Sequence, residues 1–172
     1  MLNKDEIIQL IEKKDLIRDC PHLETQIQPN GFDITVDKIF TFSEPGKLDF
    51  SNSERKIPDC EEVEPEKKSE DDKYGWWKLE QGVYKVRCNE KFKMPKDLAA
   101  ICFPRSSLLR MGCFTHTGVW DAGFEGMAEF VLFVENKEGV EIKENARIAQ
   151  LVFLPVEEVE EGYSGVYKET GD

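Results

Sequence analysis

Apolar runs of strand length, separated by turns that carry glycine or proline, fill the chain from residue 76 to residue 155. Candidate strands lie at 76–79, 82–88, 98–103, 127–135 and 147–155. Earlier, in GFDITV, Phe32, Ile34 and Val36 alternate with Asp33, Thr35 and Asp37, the pattern of a half-buried strand. The one convincing helix comes first, at 2–16: Asn3 can cap it, Glu6 can close a capping box, and Ile7, Ile8, Leu10 and Ile11 form an apolar stripe. Many short strands after one helix favour an antiparallel barrel or a jelly-roll-like sandwich over an open parallel sheet. At 172 residues the chain reads as a single domain, 1–172, with a core of its own.

Between residues 44 and 73 the composition shifts to Glu, Lys, Ser, Asp and Pro, which predicts a mobile surface loop over 54–73. Trp76 and Trp77 close that stretch, and at least one of them should pack on the body of the fold. The tail, 162–172, sets Tyr163 and Tyr167 among glycines, a composition suited equally to folding over a ligand and to fraying.

The formal net charge of −12 argues against a nonspecific nucleic-acid surface. No apolar stretch is long enough to span a bilayer and no secretory segment follows Met1, so a cytoplasmic protein without membrane partners is expected. The five cysteines are widely spaced and none pair as CxxC, which signals neither zinc nor a disulfide framework. Cys88, Cys102 and Cys113 lie among apolar neighbours and read as small buried hydrophobes.

The densest chemistry lies between Phe103 and Glu129. Arg105, Ser106, Ser107 and Arg110 follow an apolar run, and Asp121 comes shortly after, near glycines. Arginine forks and hydroxyls suit phosphate oxygens. A carboxylate beside them would orient water, hold a cation or bind a hydroxyl, because it cannot share the role of phosphate ligand. An Arg–Asp pair bracing a turn, with the serines capping a short helix at Ser106–Arg110, is the structural alternative. Neither GxxxxGK[ST] nor GxGxxG is present, so any phosphate site is built another way. Arg147 and Gln150 stand among apolar strand residues and need partners.

The succession GFDITV, PRSSLLRMG, GVWDAGFEGMAEFVLFVEN, RIAQLVF and a glycine and tyrosine tail resembles the trimeric dUTPase and dCTP deaminase superfamily, nearest to archaeal-type dUTPases on its deaminase-like side. The resemblance implies a mainly β, distorted jelly-roll (β-clip) fold with an N-terminal helix, and a homotrimer with active sites at subunit interfaces. It also implies a deoxypyrimidine triphosphate substrate, with Mg²⁺ held by substrate phosphates and water. Arg105, Ser106, Ser107, Arg110, Gln150 and Lys168 would meet phosphates, and Asp121 with Ser107 would be catalytic. Gly118, Val119, Trp120, Asp121, Phe124, Tyr163 and Tyr167 would form the nucleoside pocket, where main-chain groups read the base and Tyr167 covers it.

Two chemistries are open within that superfamily. Hydrolysis of dUTP to dUMP and pyrophosphate needs a carboxylate-oriented water at the α-phosphorus. Deamination of dCTP needs a carboxyl near C4 of cytosine, which the resemblance places ten residues after Asp121, at Val131. The nearest acid, Glu129, lies about 7 Å back along a strand. The expectation is therefore a dUTP nucleotidohydrolase, with a dCTP deaminase, a bifunctional enzyme using Glu129, or a non-catalytic nucleotide-binding regulator as alternatives.

Overall fold

The computed structural model describes residues 1–167. In chain order the elements are α1 (Lys4–Lys14), β1 (Ile17–Arg18), α2 (Leu23–Gln26), β2 (Ile27–Gln28), β3 (Gly31–Phe42), β4 (Cys60–Val63), β5 (Trp76–Leu79), β6 (Gly82–Lys93), β7 (Leu98–Pro104), α3 (Ser106–Arg110), β8 (Cys113–His116), β9 (Glu125–Val134), β10 (Val140–Lys143) and β11 (Arg147–Pro155). A nine-stranded antiparallel sheet runs β7-β11-β3-β6-β9-β8, with β1, β2 and β4 added at its margins, and β10 pairs with β5 in a separate ribbon. Ala100 of β7 and Trp120, just beyond β8, exchange backbone hydrogen bonds of 2.9 Å, which curls the sheet nearly closed. The jelly-roll expectation and the early helix are both met.

Helix α1 starts where its capping box predicts: Glu6 N–H donates to Asn3 Oδ1 at 3.1 Å and Asn3 N–H to Glu6 Oε2 at 2.8 Å. It ends at Asp15, whose φ of 61° is left-handed. Leu2 N–H to Phe153 O and Lys4 N–H to Pro29 O dock its first turn on the body.

The core gathers Ile7, Phe32, Ile34, Val36, Val86, Leu132, Leu151 and Phe153, all fully buried. Trp77 joins it and donates its indole N–H to Val63 O at 2.7 Å. Cys88 and Cys113 are buried and Cys102 is half-buried. Burial pushes the Cys102 thiol up to about 12, the reverse of what a nucleophile needs.

Two features differ from the sequence expectation. Within 54–73, Cys60–Val63 pairs with residues 39–42 of β3, because the far half of that long strand leaves an edge free. Strand β3 is also buried on both faces at its start: Asp33 and Thr35, which alternate outward in the sequence, are each 2% exposed. Buried Gln26 of α2 and Glu90 of β6, with the half-buried Arg147 of β11, meet that second face with polar groups.

Candidate active site

The segment from Pro104 to Arg110 leaves the sheet at the end of β7. Pro104 is opposite Ala149 of β11, and Arg105 N–H continues the ladder by donating to Ile148 O at 2.9 Å. Arg105 occupies the N-cap position of α3, which begins without a side-chain cap, so the serines do not play the capping role. Leu108 is buried and pins the turn, leaving Ser106, Ser107 and Arg110 exposed.

Asp33 explains how Arg105 is held. Its Oδ2 lies 3.0 Å from Arg105 Nε and 3.3 Å from Arg147 Nη1. Arg105 Nη1 donates to Arg147 O at 3.2 Å and Arg147 Nη1 to Thr25 O at 2.5 Å. Burial pushes the Asp33 carboxyl up, and the two guanidinium groups pull it back. Gln150 stands between Phe103 and Asp33 in the β7-β11-β3 register, so strand pairing brings it to the arginine loop. A Cβ at Gly31 would drive into Leu151 O and crowd Gln150 Nε2, which is why the crossing there requires glycine.

Behind this cluster lies a buried carboxylate that the sequence reading did not single out. Glu90 Oε1 accepts from Gln26 Nε2 and Thr35 Oγ1, each at 2.6 Å, and from Thr35 N–H at 3.2 Å. Gln26 Nε2 also donates to Asp33 O at 3.0 Å, linking this network to the arginine clamp. Burial pushes Glu90 up, with the Thr35 and Gln26 donors pulling it back. Asn89 Nδ2 ties Thr35, Val36 and Asn145 together at 2.9–3.1 Å, which braces the turn leading into Arg147. No local pattern marks Glu90, because it sits at a β-bulge between Arg87 and Lys91.

Most of the residues expected at a nucleoside form a second group. A cavity of about 550 Å³ opens between the β8–β9 hairpin and the tail, lined among others by Gly118, Val119, Trp120, Phe124, Glu129, Val131, Tyr163 and Tyr167. Tyr163 N–H donates to Ala122 O at 2.8 Å and its ring meets Phe124 edge-on at 5.5 Å. The contact is close because Gly123, at φ 82°, faces Gly162: a Cβ on Gly123 would lie 2.7 Å from Gly162 Cα. Tyr167 reaches the cavity, with Arg55 5.9 Å from its ring centroid. Lys168 lies outside the described residues. Asp121 is exposed at the hairpin tip, where its carbonyl accepts from Phe124 N–H at 3.0 Å. Trp120 Nε1 is buried without a hydrogen-bond partner among the described residues.

One chain thus keeps the two groups apart: none of Arg105, Ser106, Ser107, Arg110 and Gln150 lines the cavity. Among the described residues no cluster of three or more His, Cys, Asp or Glu is placed to hold a metal, and the carboxylate nearest Arg105 is already committed to arginines. No helix among the described residues is long and apolar enough to cross a membrane.

The fold and the family match together make the chain a member of the trimeric dUTPase and dCTP deaminase-like superfamily. Within it, the chain belongs to the dCTP deaminase-like family, whose model matches residues 1–156. It is 45% identical over 168 residues to a protein of Archaeoglobus fulgidus named a probable deoxyuridine 5′-triphosphate nucleotidohydrolase, covering 98% of this chain and 95% of that one. It is 47% identical over 170 residues to a protein of the same name from Methanosarcina mazei, covering 98% and 96%. The deoxyuridine 5′-triphosphate nucleotidohydrolase of Methanocaldococcus jannaschii is 41% identical over 145 residues, covering 84% and 88%. Among solved structures, the 2′-deoxycytidine 5′-triphosphate deaminase of Agrobacterium tumefaciens superposes with a TM-score of 0.61 at 22% identity. That superposition covers 88% of this chain and 46% of the longer deaminase, and it supports the fold.

Proposed function

We propose that the protein is a dUTP nucleotidohydrolase, converting dUTP and water to dUMP and pyrophosphate in the cytoplasm. The observation that carries the choice of chemistry is the wall of the cavity. Val131 stands there, flanked by Lys85 on one neighbouring strand and His116 on the other. The resemblance expects the deaminase acid at this position, where valine carries no proton, and the acid two residues back, Glu129, is tied to Lys85 at 3.2 Å. The names of the near full-length archaeal relatives favour the same substrate.

In this reading Asp121 accepts a hydrogen bond from a water and takes its proton as the water oxygen bonds to the α-phosphorus. The bond to the bridging oxygen breaks and pyrophosphate leaves. Arg105 and Arg110, with the hydroxyls of Ser106 and Ser107 and the amide of Gln150, grip the phosphates, and Ser107 holds the one under attack. Asp33 keeps Arg105 aimed from behind. Phe124, Tyr163 and Tyr167 enclose the nucleoside and exclude water from it. Mg²⁺, where it accompanies the triphosphate, would supply charge neutralisation beside these arginines. The separation of the two groups within one chain supports a homotrimer in which a neighbouring copy brings its arginine turn to the pocket.

Incubation of the purified protein with dUTP or dCTP and Mg²⁺, with product identification, tests this. Pyrophosphate and dUMP from dUTP, and no ammonia from dCTP, are expected. Ammonia from dCTP would instead assign Glu129 the proton-shuttle role. Asp121→Asn should abolish hydrolysis with the assembly intact by light scattering; unchanged turnover would reject its role.

A further inference from the structure

The cavity wall is mostly apolar, yet it holds one pair of opposite charges. Lys85 Nζ lies 3.2 Å from each carboxylate oxygen of Glu129, and both residues line the cavity. Register explains why they meet. Lys85 is directly opposite Val131 across the β6–β9 ladder, and Glu129 is its diagonal neighbour on the same face. Arg87, the residue opposite Glu129, is turned away to Asp37, which it holds at 2.6 and 2.8 Å. The ring of Phe40 backs the ammonium, 4.6 Å from centroid to Nζ. The lysine is therefore held between an aromatic ring and a carboxylate, and the carboxylate is held by the lysine.

An ammonium only donates hydrogen bonds and a carboxylate only accepts them. Side by side they present a donor next to an acceptor. The uracil edge is the complement, with an accepting 4-oxo group beside a donating N3–H. Cytosine presents the reverse, a donating 4-amino group beside an accepting N3. We propose that the Lys85–Glu129 pair selects uracil over cytosine, Lys85 donating to the 4-oxo group and Glu129 accepting from N3–H. This rests on the dUTPase reading and adds side-chain selection to a pocket otherwise read through the hairpin backbone. With cytosine, donor faces donor and acceptor faces acceptor, so discrimination comes from repulsion as well as attraction. Glu129 is then a recognition group and not a proton shuttle.

The test compares kcat/KM for hydrolysis of dUTP and dCTP to their monophosphates in wild type, Lys85→Met, Glu129→Gln and Lys85→Arg. Inhibition by dUMP against dCMP serves as the readout where dCTP turns over too slowly. Loss of one charge-assisted hydrogen bond predicts that Lys85→Met lowers the uracil preference on the order of tenfold or more. Glu129→Gln should lower it as well, because its amide can donate to cytosine N3, while Lys85→Arg keeps a donor and most of the preference. If the variants lose activity on both nucleotides in proportion and the ratio stays at the wild-type value, the pair only braces the sheet and the inference is overturned. If wild type releases no pyrophosphate from dUTP, the enzyme assignment fails by itself. The relative affinities for dUMP and dCMP, measured by calorimetry on the same variants, then still decide the role of the pair: a preference that falls with Lys85→Met supports it, and an unchanged one overturns it.

Discussion

Substitution of Asp33 separates the clamp on Arg105 from the rest of the fold. Asp33 is 2% exposed, and a single oxygen, Oδ2, faces both Arg105 and Arg147. In Asp33→Asn the amide oxygen can take the place of Oδ2, so the contacts survive and only their charge assistance is lost. Contacts to a charged group exceed neutral ones by roughly 1 kcal/mol each, which gives about 2 kcal/mol for the pair. Asp33→Ala removes the acceptor and strands two guanidinium groups, a change that costs about 3–5 kcal/mol where a buried ion pair loses one member. The arginine side chains are 28% and 34% exposed, so water replaces part of that bonding and the lower end applies. In a chain of this size each kcal/mol moves Tm by about 2–4 °C, so falls of about 4–8 °C for Asp33→Asn and about 6–12 °C for Asp33→Ala are expected in calorimetry. Steady-state kinetics at a temperature below the transitions so measured should show kcat/KM for dUTP falling in the same order because Arg105 is no longer aimed. An alanine variant that melts within about 1 °C of wild type, or keeps its kcat/KM, would refute the clamp.

Two further substitutions probe the bracing behind the site and the tail above it. The folded state raises the Glu90 carboxyl above its ordinary value of 4.5, so the native chain binds more protons than the unfolded one in the interval between those values. Stability contributed by this group is present below pH 4.5 and declines as pH rises through the raised value. Urea midpoints in a pH series should therefore show the wild-type advantage over Glu90→Gln shrinking upward from that point; an advantage that grows with pH contradicts the assignment. Gly123→Ala places a Cβ at a left-handed φ, costing about 1–2 kcal/mol locally, and pushes it against Gly162. The tail should detach while the barrel holds, so KM for dUTP should rise several-fold with little change in far-UV circular dichroism; an unchanged KM would mean that the tail does not cover the substrate.

Local patterns sufficed for much of the scaffold. The Asn3–Glu6 capping box, strands Trp76–Leu79 and Arg147–Pro155, and the short helix Ser106–Arg110 all stand where the sequence reading puts them, because each depends on residues within a turn or a pleat of one another. Gly118, Val119, Trp120 and Phe124, expected together at the nucleoside, do line one cavity, because they are near neighbours in the chain, whereas Asp121 does not line it. Cys60–Val63 was hidden inside a charged stretch, since its strand character comes from the free edge of β3 and not from its own composition.

What tertiary structure alone decided are the partnerships across strands. Asp33 reads as an outward carboxylate in an alternating strand, and only the packing of β11 and of the turn after β7 against it makes it the buried anchor of Arg105 and Arg147. Lys85 and Glu129 are 44 residues apart, and their meeting beside Val131 depends on one register between β6 and β9. A slip of a single residue would send every side chain of one strand to the opposite face. The sequence by itself determined the early helix, the longer strands and the contiguous stretch 118–124 expected at a nucleoside. Which charges face one another in that pocket was settled by the register between β6 and β9, which depends on contacts made far apart along the chain.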